Sequence, residues 1–297
     1  MWDVYARAQV RFRGKMETII QLLEEKFSLS GWTLTRPDQG HQKECLIFQA
    51  GNRKVFLKFG TGNAEPLRRL GKIGVAPEVL EAGVIQGKSF VIQEFIEGPN
   101  PPKSWFTGHL AYLSAFIRKY HEDTLLIELL SQNQTLTHRE LVARDVAELE
   151  KRWENLKRAG GIEGKDLETA FDKLRKDAAT LEAVELAPVH AEPNNQNMLL
   201  AGERLVMVDW DEIRLGDPVQ DCGQMLWWYV PPAKWAEFFE SYGFDPNQKL
   251  LDRLYWWTAR ASLVIACWQF EHGFDAQEFL RDFRAAVSQQ ANPHASF

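Results

Sequence analysis

Glu192 and Asn197 stand five positions apart, and Asp209 follows twelve residues after Asn197. A carboxylate, an amide oxygen and a second carboxylate in that order suit phosphoryl transfer. The first carboxylate lies near an attacking hydroxyl. The Asn oxygen and the second carboxylate hold magnesium on the phosphates. The segment reads Val189-His190-Ala191-Glu192-Pro193-Asn194-Asn195-Gln196-Asn197-Met198-Leu199-Leu200, and Val208-Asp209-Trp210-Asp211 comes after it. Asp209 ends an apolar run, as a strand-borne ligand should. Oxygen ligands from Asn197, Asp209 and Asp211 suit Mg²⁺, which keeps waters and phosphate oxygens in its shell.

These residues need elements to position them. Two short apolar runs flank the polar loop: residues 187–190 on one side, and 197–200 paired with 204–209 on the other. Before them the spacing predicts helices over 109–120, over 139–158, and through Leu167, Phe171, Leu174, Ala178 and Leu181. After Asp217-Pro218 the chain returns to helix up to its end, with many aromatics. The first 95 or so residues read differently. A helical period over 16–27 gives way to strands at 32–35, 44–49, 55–59, 78–82 and 89–95, with one short helix over 65–70. Gly51-Asn52 between two apolar runs predicts a hairpin. Gly98-Pro99-Asn100-Pro101-Pro102 is a strong breaker cluster, and the boundary falls just before it. The expected organisation is therefore α+β, with a small antiparallel-sheet lobe over 1–97 and a larger helical lobe over 98–297. Chains of this layout often hold a nucleotide between their lobes.

In protein kinases the corresponding signature is H-R-D-x-x-x-x-N followed by D-F-G. Here the blocks are His190-Ala191-Glu192-Pro193-Asn194-Asn195-Gln196-Asn197, then Val208-Asp209-Trp210-Asp211, then Gly216-Asp217-Pro218-Val219-Gln220-Asp221. In order and distance they resemble the aminoglycoside phosphotransferase and choline kinase family, which shows H-G-D-x-x-x-x-N, D-x-D or D-x-E, and G-D-P-x-x-D. The resemblance implies a protein-kinase-like bilobal fold, ATP and Mg²⁺ as cofactors, and transfer of the γ-phosphate to a hydroxyl of an aminoglycoside-, choline- or amino-alcohol-like acceptor. It makes Glu192 the catalytic carboxylate and His190 the residue that orients its loop. One departure matters: the family's catalytic Asp is Glu192 here, and the extra methylene moves the carboxylate by roughly 1.5 Å. In a reaction that depends on positioning, such a shift supports an alternative reading as a nucleotide-binding pseudokinase.

Further expectations follow from the resemblance. Lys58, in the strand Val55-Phe56-Leu57-Lys58-Phe59, is the phosphate-contacting lysine, and Glu65 is its ion-pair partner. Glu94 and Ile96 hold adenine through their backbone. Pro37-Asp38-Gln39-Gly40-His41 stands where a phosphate-covering loop belongs. On residue chemistry alone, Asp217 is a helix cap and Asp221 a hydrogen-bond partner of the catalytic loop. Trp227-Trp228-Tyr229 and Trp256-Trp257 read as core. The remaining aromatics are open to a cation–π role towards a quaternary amine, and Asp211, Asp252 and Glu271 to pairing with an ammonium.

Composition sets limits. Of 297 residues, 45% are hydrophobic and 26% charged, and the net charge is −6. That excess of acid argues against nucleic acid, whose phosphates need clustered Lys and Arg, and is compatible with a cationic small molecule. The odd cysteines Cys45, Cys222 and Cys267 are widely spaced and read as reduced thiols. No secretion signal and no membrane span is expected. The expectation is a cytoplasmic protein, its oligomeric state open. A protein kinase is set aside because Gly216-Asp217-Pro218 follows Asp209 too soon for a long activation segment, and no A-P-E occurs.

Overall fold

The computed structural model describes residues 2–37, 44–161, 165–290 and 292, with side chains from residue 14 onward. The chain divides into two compact units, Met1–Glu97 and Gly98–Phe297.

The first unit opens on α1 (Trp2–Phe27), which begins well before the expected position 16. Its strands are β1 (Thr33–Thr35), β2 (Cys45–Ala50), β3 (Arg53–Phe59), β4 (Val79–Ile85) and β5 (Lys88–Glu94), with α2 (Glu65–Lys72) between β3 and β4. They form one antiparallel sheet in the order β1-β2-β3-β5-β4. Gly51, at φ +54°, turns β2 into β3. Along β3 the side chains alternate: Val55, Leu57 and Phe59 are buried, while Lys54, Phe56 and Lys58 on the other face are half-buried. Met16, Ile19 and Leu23, spaced three and four apart on one face of α1, join Leu46, Phe48, Val55, Leu57 and Ile92 in a single core. The pleat therefore assigns Lys58 to the face away from that core.

The second unit carries α3 (Lys103–Gly108), α4 (Leu110–His121), α5 (Thr124–Ser131), α6 (His138–Arg158) and α7 (Lys165–Ala178) before the loop region. The short strands are β6 (Ala187–Val189), β7 (Met198–Ala201), β8 (Arg204–Met207) and β9 (Arg214–Gly216). They make two antiparallel pairs, β6 with β9 and β7 with β8. Where an unbroken helical region was expected after Pro218, there are α8 (Val219–Tyr229), α9 (Trp235–Tyr242), α10 (Gln248–Glu271) and α11 (Gln277–Val287). Breaks fall where the chemistry demands them: Pro231-Pro232 cannot continue a helix, and Gly243 takes φ +90° just past α9. α6 starts on a capping box, with Thr137 and Glu140 satisfying each other's backbone. Trp227, Trp256 and Trp257 are buried core. Burial pushes the Cys267 thiol up to about 12. Among the described residues no helix is long and apolar enough to cross a membrane.

Candidate active site

The loop from His190 to Asn197 is held by hydrogen bonds that reach it from α8, from Asn100 and from Val208. From α8, Asp221 accepts the N–H of His190 at 2.8 Å and of Ala191 at 2.9 Å. Gln224, one turn on, donates to the Ala191 carbonyl at 2.9 Å. Ala191 sits at φ +76°, where the family pattern has glycine. Such a conformation costs a non-glycine residue about 1–2 kcal/mol, and here bonds to both its N–H and its C=O hold it in place.

His190 is fully buried. Its Nδ1 faces the Glu192 N–H at 3.3 Å and its Nε2 faces the Val208 carbonyl at 2.9 Å. The first contact makes Nδ1 the acceptor, so Nε2 carries the proton and donates. One ring thus ties the start of the loop to the residue before Asp209.

The far end of the loop is fixed as tightly. Asn194 accepts the N–H groups of Gln196 and Asn197, and Tyr229 accepts the Asn195 N–H at 3.1 Å. Asn100 donates to the carbonyls of Asn195, Gln196 and Met198, the last at 2.7 Å. Gly98 lets this segment approach, since a Cβ there would fall 2.1 Å from the Leu200 oxygen. The Asn197 side-chain NH₂ donates to the Glu192 carbonyl at 3.1 Å, so the amide oxygen could serve as a ligand. The Asn197 carbonyl accepts the Val208 N–H at 2.8 Å, and Asp209 follows in the left-handed region at φ +61°. Glu192 and Asp209 are exposed and Asp211 half-buried.

Beneath the loop lie two buried carboxylates. Asp221 also accepts from the Tyr120 hydroxyl at 2.9 Å and faces His121 Nε2 at 3.3 Å. Burial alone would raise its pKa, but His121 and the His190 N–H outweigh burial and hold it below the usual carboxylate value. Asp217 accepts from Arg253, from Trp257 and from the Val219 N–H, and bonds His138 at 2.9 Å. It is likewise held low against its own burial, by His138 and Arg253. The N-cap position of α8 falls to Pro218 and not to Asp217 as expected, yet Asp217 takes the first N–H of the helix and joins α6, α8 and α10.

The nucleotide-side residues stand as follows. Lys58 lies on β3 between Cys45 of β2 and Val91 of β5. Glu65 opens α2, and its carboxylate stands 3.4 Å from Arg68 one turn on. Glu94 ends β5, with its N–H on the Glu78 carbonyl at 2.9 Å and its carboxylate on the Glu78 N–H. Ile96 is half-buried just beyond. The loop expected at 37–41 falls, from residue 38 on, outside the described residues. Asp252 accepts from Gln248 and Gln289 at 2.8 Å, so two amides occupy one of the carboxylates considered for an ammonium.

Asn100, Gln224 and Tyr229 were not anticipated from the sequence. Asn100 offered a signal, an amide between two prolines whose backbone has little freedom. Gln224 and Tyr229 offered none beyond their place on the helix that carries Asp221.

Fold and loop together define a protein-kinase-like small-molecule phosphotransferase. Residues 63–257, more than half of the chain, match the model of the phosphotransferase enzyme family, and the chain belongs to that family. Three solved structures illustrate the likeness. A putative fructosamine-3-kinase from Haemophilus somnus 129PT aligns with TM-score 0.68 and 15% identity, over 94% of this chain and 99% of that one. A thermostable mutant of aminoglycoside phosphotransferase APH(4)-Ia, in ternary complex with ADP and hygromycin B, aligns with TM-score 0.66 and 19% identity, over 94% and 100%. A choline/ethanolamine kinase family protein from Mesorhizobium loti aligns with TM-score 0.62 and 20% identity, over 90% and 91%. At these identities the likeness is one of fold.

Proposed function

We propose that this chain transfers the γ-phosphate of ATP, with Mg²⁺, to a hydroxyl of a small-molecule acceptor. Residues 1–97 serve as the nucleotide-binding lobe, and 98–297 supply the catalytic loop and the acceptor pocket. The observation that carries this reading is the Asn197 side chain. Its nitrogen is committed to the Glu192 carbonyl, which leaves its oxygen as a ligand a few residues from an exposed carboxylate. Asp209, at the end of β8, supplies a second oxygen.

The residues fit a Mg²⁺·nucleotide. Among the described residues no three His, Cys, Asp or Glu side chains could hold a metal by themselves. That suits Mg²⁺, which takes few protein ligands and fills its shell with phosphate and water. Bound there, the cation would draw negative charge off the phosphates. Asn197 and Asp209 would hold it, with Asp211 beside them. Lys58 would meet the α- or β-phosphate, and the Glu94 carbonyl and Ile96 N–H would face adenine.

Glu192 accepts the acceptor's O–H and so aims its oxygen at phosphorus. The new O–P bond forms, the terminal bridging P–O bond breaks, ADP leaves with that electron pair, and the hydroxyl proton passes to Glu192 late. The binding-only alternative has no observation in its favour. The backbone on either side of Glu192 is held by His190 and Asn197, so the longer side chain works from a fixed base. The ADP and AMP-PNP complexes of similar structures, each with hygromycin B, support a small acceptor.

The test is ADP release by the full chain with Mg²⁺·ATP and a panel of amino alcohols, hydroxy acids and aminoglycosides. Acceptor-dependent release that Asp209→Ala abolishes is expected. Calorimetry of Asp209→Ala with ATP should also show nucleotide binding that no longer depends on Mg²⁺. Undiminished metal dependence would remove Asp209 from the site.

A further inference from the structure

We infer that the acceptor carries an anionic group, a carboxylate or a phosphate, and that Arg214 and Arg260 bind it beside the catalytic loop. The inference rests on the kinase reading above and specifies its acceptor.

Arg214 opens β9 and lies opposite Val189, the residue that leads into His190. Opposed residues of an antiparallel pair have Cα atoms about 5 Å apart, and three further residues span at most about 11 Å, so the Cα atoms of Arg214 and Glu192 lie no more than about 16 Å apart. Arms on both sides narrow that gap to the length of a small metabolite.

Among the described residues the side chain of Arg214 makes long hydrogen bonds, to the Glu212 carbonyl at 3.3 Å and to Gln220 Oε1 at 3.4 Å. Around it are Arg260 of α10 and Asp145 and Arg144 of α6. Asp145 is 2% exposed and stands 3.5 Å from Arg260 and 3.9 Å from Arg144, too far for hydrogen bonds of good geometry. Glu148 is neutralised by Arg152 at 2.8 Å. Asp221 also acts on Arg214 but is already engaged by the loop N–H groups, Tyr120 and His121, which leaves Asp145 as the carboxylate between Arg214, Arg260 and Arg144.

Three buried donors in this cluster, Arg214 Nε, Arg260 Nε and Gln220 Nε2, have no hydrogen-bond partner among the described residues. Gln220 is fully buried. Unpaired buried donors and surplus buried charge are both costly. One anion between the two guanidiniums relieves both costs. The charge of Arg260, after burial itself, pushes the pKa of Arg214 down, as two cations facing the same space should do. Arg144 and Glu148, at the edge of the cluster, are each about half exposed. An acceptor recognised only through an ammonium would meet the wrong sign of charge here.

Two measurements on the full chain test this. The first is calorimetry with inorganic phosphate in saturating AMP-PNP and Mg²⁺, so that the nucleotide site is filled. Wild type should bind. Arg214→Gln and Arg260→Gln should each weaken binding about tenfold or more, the effect of one charge-assisted hydrogen bond, and Arg260→Lys should retain part of it. Circular dichroism establishes that each variant is folded, and Arg260→Lys, which keeps the charge, keeps the test open if Arg214→Gln is not.

The second is ADP release with acceptors that differ by one anionic group. Homoserine against 3-amino-1-propanol reports a carboxylate, and glucosamine 6-phosphate against glucosamine reports a phosphate. At least one anionic member should be favoured about tenfold or more in kcat/KM. Arg260→Gln should raise KM for that member and leave KM for ATP unchanged. Preference for the members without an anion, or phosphate affinity unmoved by all three substitutions, overturns the proposal and leaves the kinase reading intact. If no acceptor of either kind is turned over, the kinase reading fails, and the phosphate titration still decides whether Arg214 and Arg260 bind an anion.

Discussion

Asp221, on the first turn of α8, accepts the backbone N–H of His190 through a carboxylate oxygen at 2.8 Å. Its second oxygen takes the next N–H, of Ala191, at 2.9 Å. Asp221→Asn would turn an amide NH₂ towards a donor that needs an acceptor. We expect about 3 kcal/mol lower stability in urea, the size seen when a buried charged partner is lost, and a fall in kcat with little change in nucleotide affinity. Tyr120→Phe removes one donor of the same set and should cost only about 1 kcal/mol. Equal stabilities for wild type and Asp221→Asn would show that the loop does not depend on this carboxylate.

The buried carboxylates also set the acid limit. Asp217 and Asp221 have pKa values below the ordinary carboxylate range in the folded state. The folded protein thus binds fewer protons at these sites than the unfolded chain, so they stabilise it fully above the unfolded pKa of about 4. That contribution declines below pH 4 and is gone once pH passes below the folded values. Stability should fall steeply on acidification in that window, and the fall should be shallower in Asp217→Asn and Asp221→Asn. Parallel pH profiles for all three proteins would contradict the assignment.

The loop was legible in the sequence because its parts are close along the chain. His190, Glu192 and Asn197 are fixed in register by Pro193 and by the flanking apolar runs. The supporting contacts were not, because Asn100 meets Met198, and Arg260 meets Asp145, only through the fold. β9 was missed since three residues give no alternation to read, and α5, TLLIELLS, since its four leucines and one isoleucine leave no clear polar face. α1 was begun too late because the mixed charges of its first turns hide the period.

Gly98 tests how closely the chain must approach β7. Its missing Cβ would fall 2.1 Å from the Leu200 carbonyl oxygen and 2.7 Å from the carbonyl carbon. Backbone cannot give way as a flexible side chain does, so Gly98→Ala should lose about 1–3 kcal/mol in a urea titration, the usual cost of overpacking. The shift should also loosen the Pro99 carbonyl from the Leu200 N–H, now at 2.9 Å. An unchanged midpoint would mean that the approach is not required.

Lys58 is half-buried on the face of β3 away from the α1 core. If it meets a phosphate, Lys58→Ala should weaken ATP far more than adenosine, because only ATP carries the charge that the ammonium pairs with. Calorimetry with both ligands measures the difference. Equal weakening would assign Lys58 to packing of the sheet.

Glu192 is the residue on which the proposed turnover rests. Its N–H is held by His190 Nδ1 and its carbonyl by Asn197, while its carboxylate is exposed and, among the described residues, makes no hydrogen bond or ion pair. The backbone is thus fixed, and only the side-chain length differs from the family's Asp. A longer arm still orients a hydroxyl if the acceptor sits slightly further back. Glu192→Gln should therefore lower kcat about a hundredfold or more, the usual size of a general-base contribution, with nucleotide affinity almost unchanged because Glu192 is not a proposed metal ligand. Glu192→Asp separates two cases. If the pocket is matched to the longer arm, shortening it by one methylene withdraws the carboxylate by roughly 1.5 Å and lowers kcat. If the wild type is impaired by its glutamate, the same change raises kcat. Steady-state kinetics with the best acceptor from the panel reads both, and a fully active Glu192→Gln would place the base elsewhere.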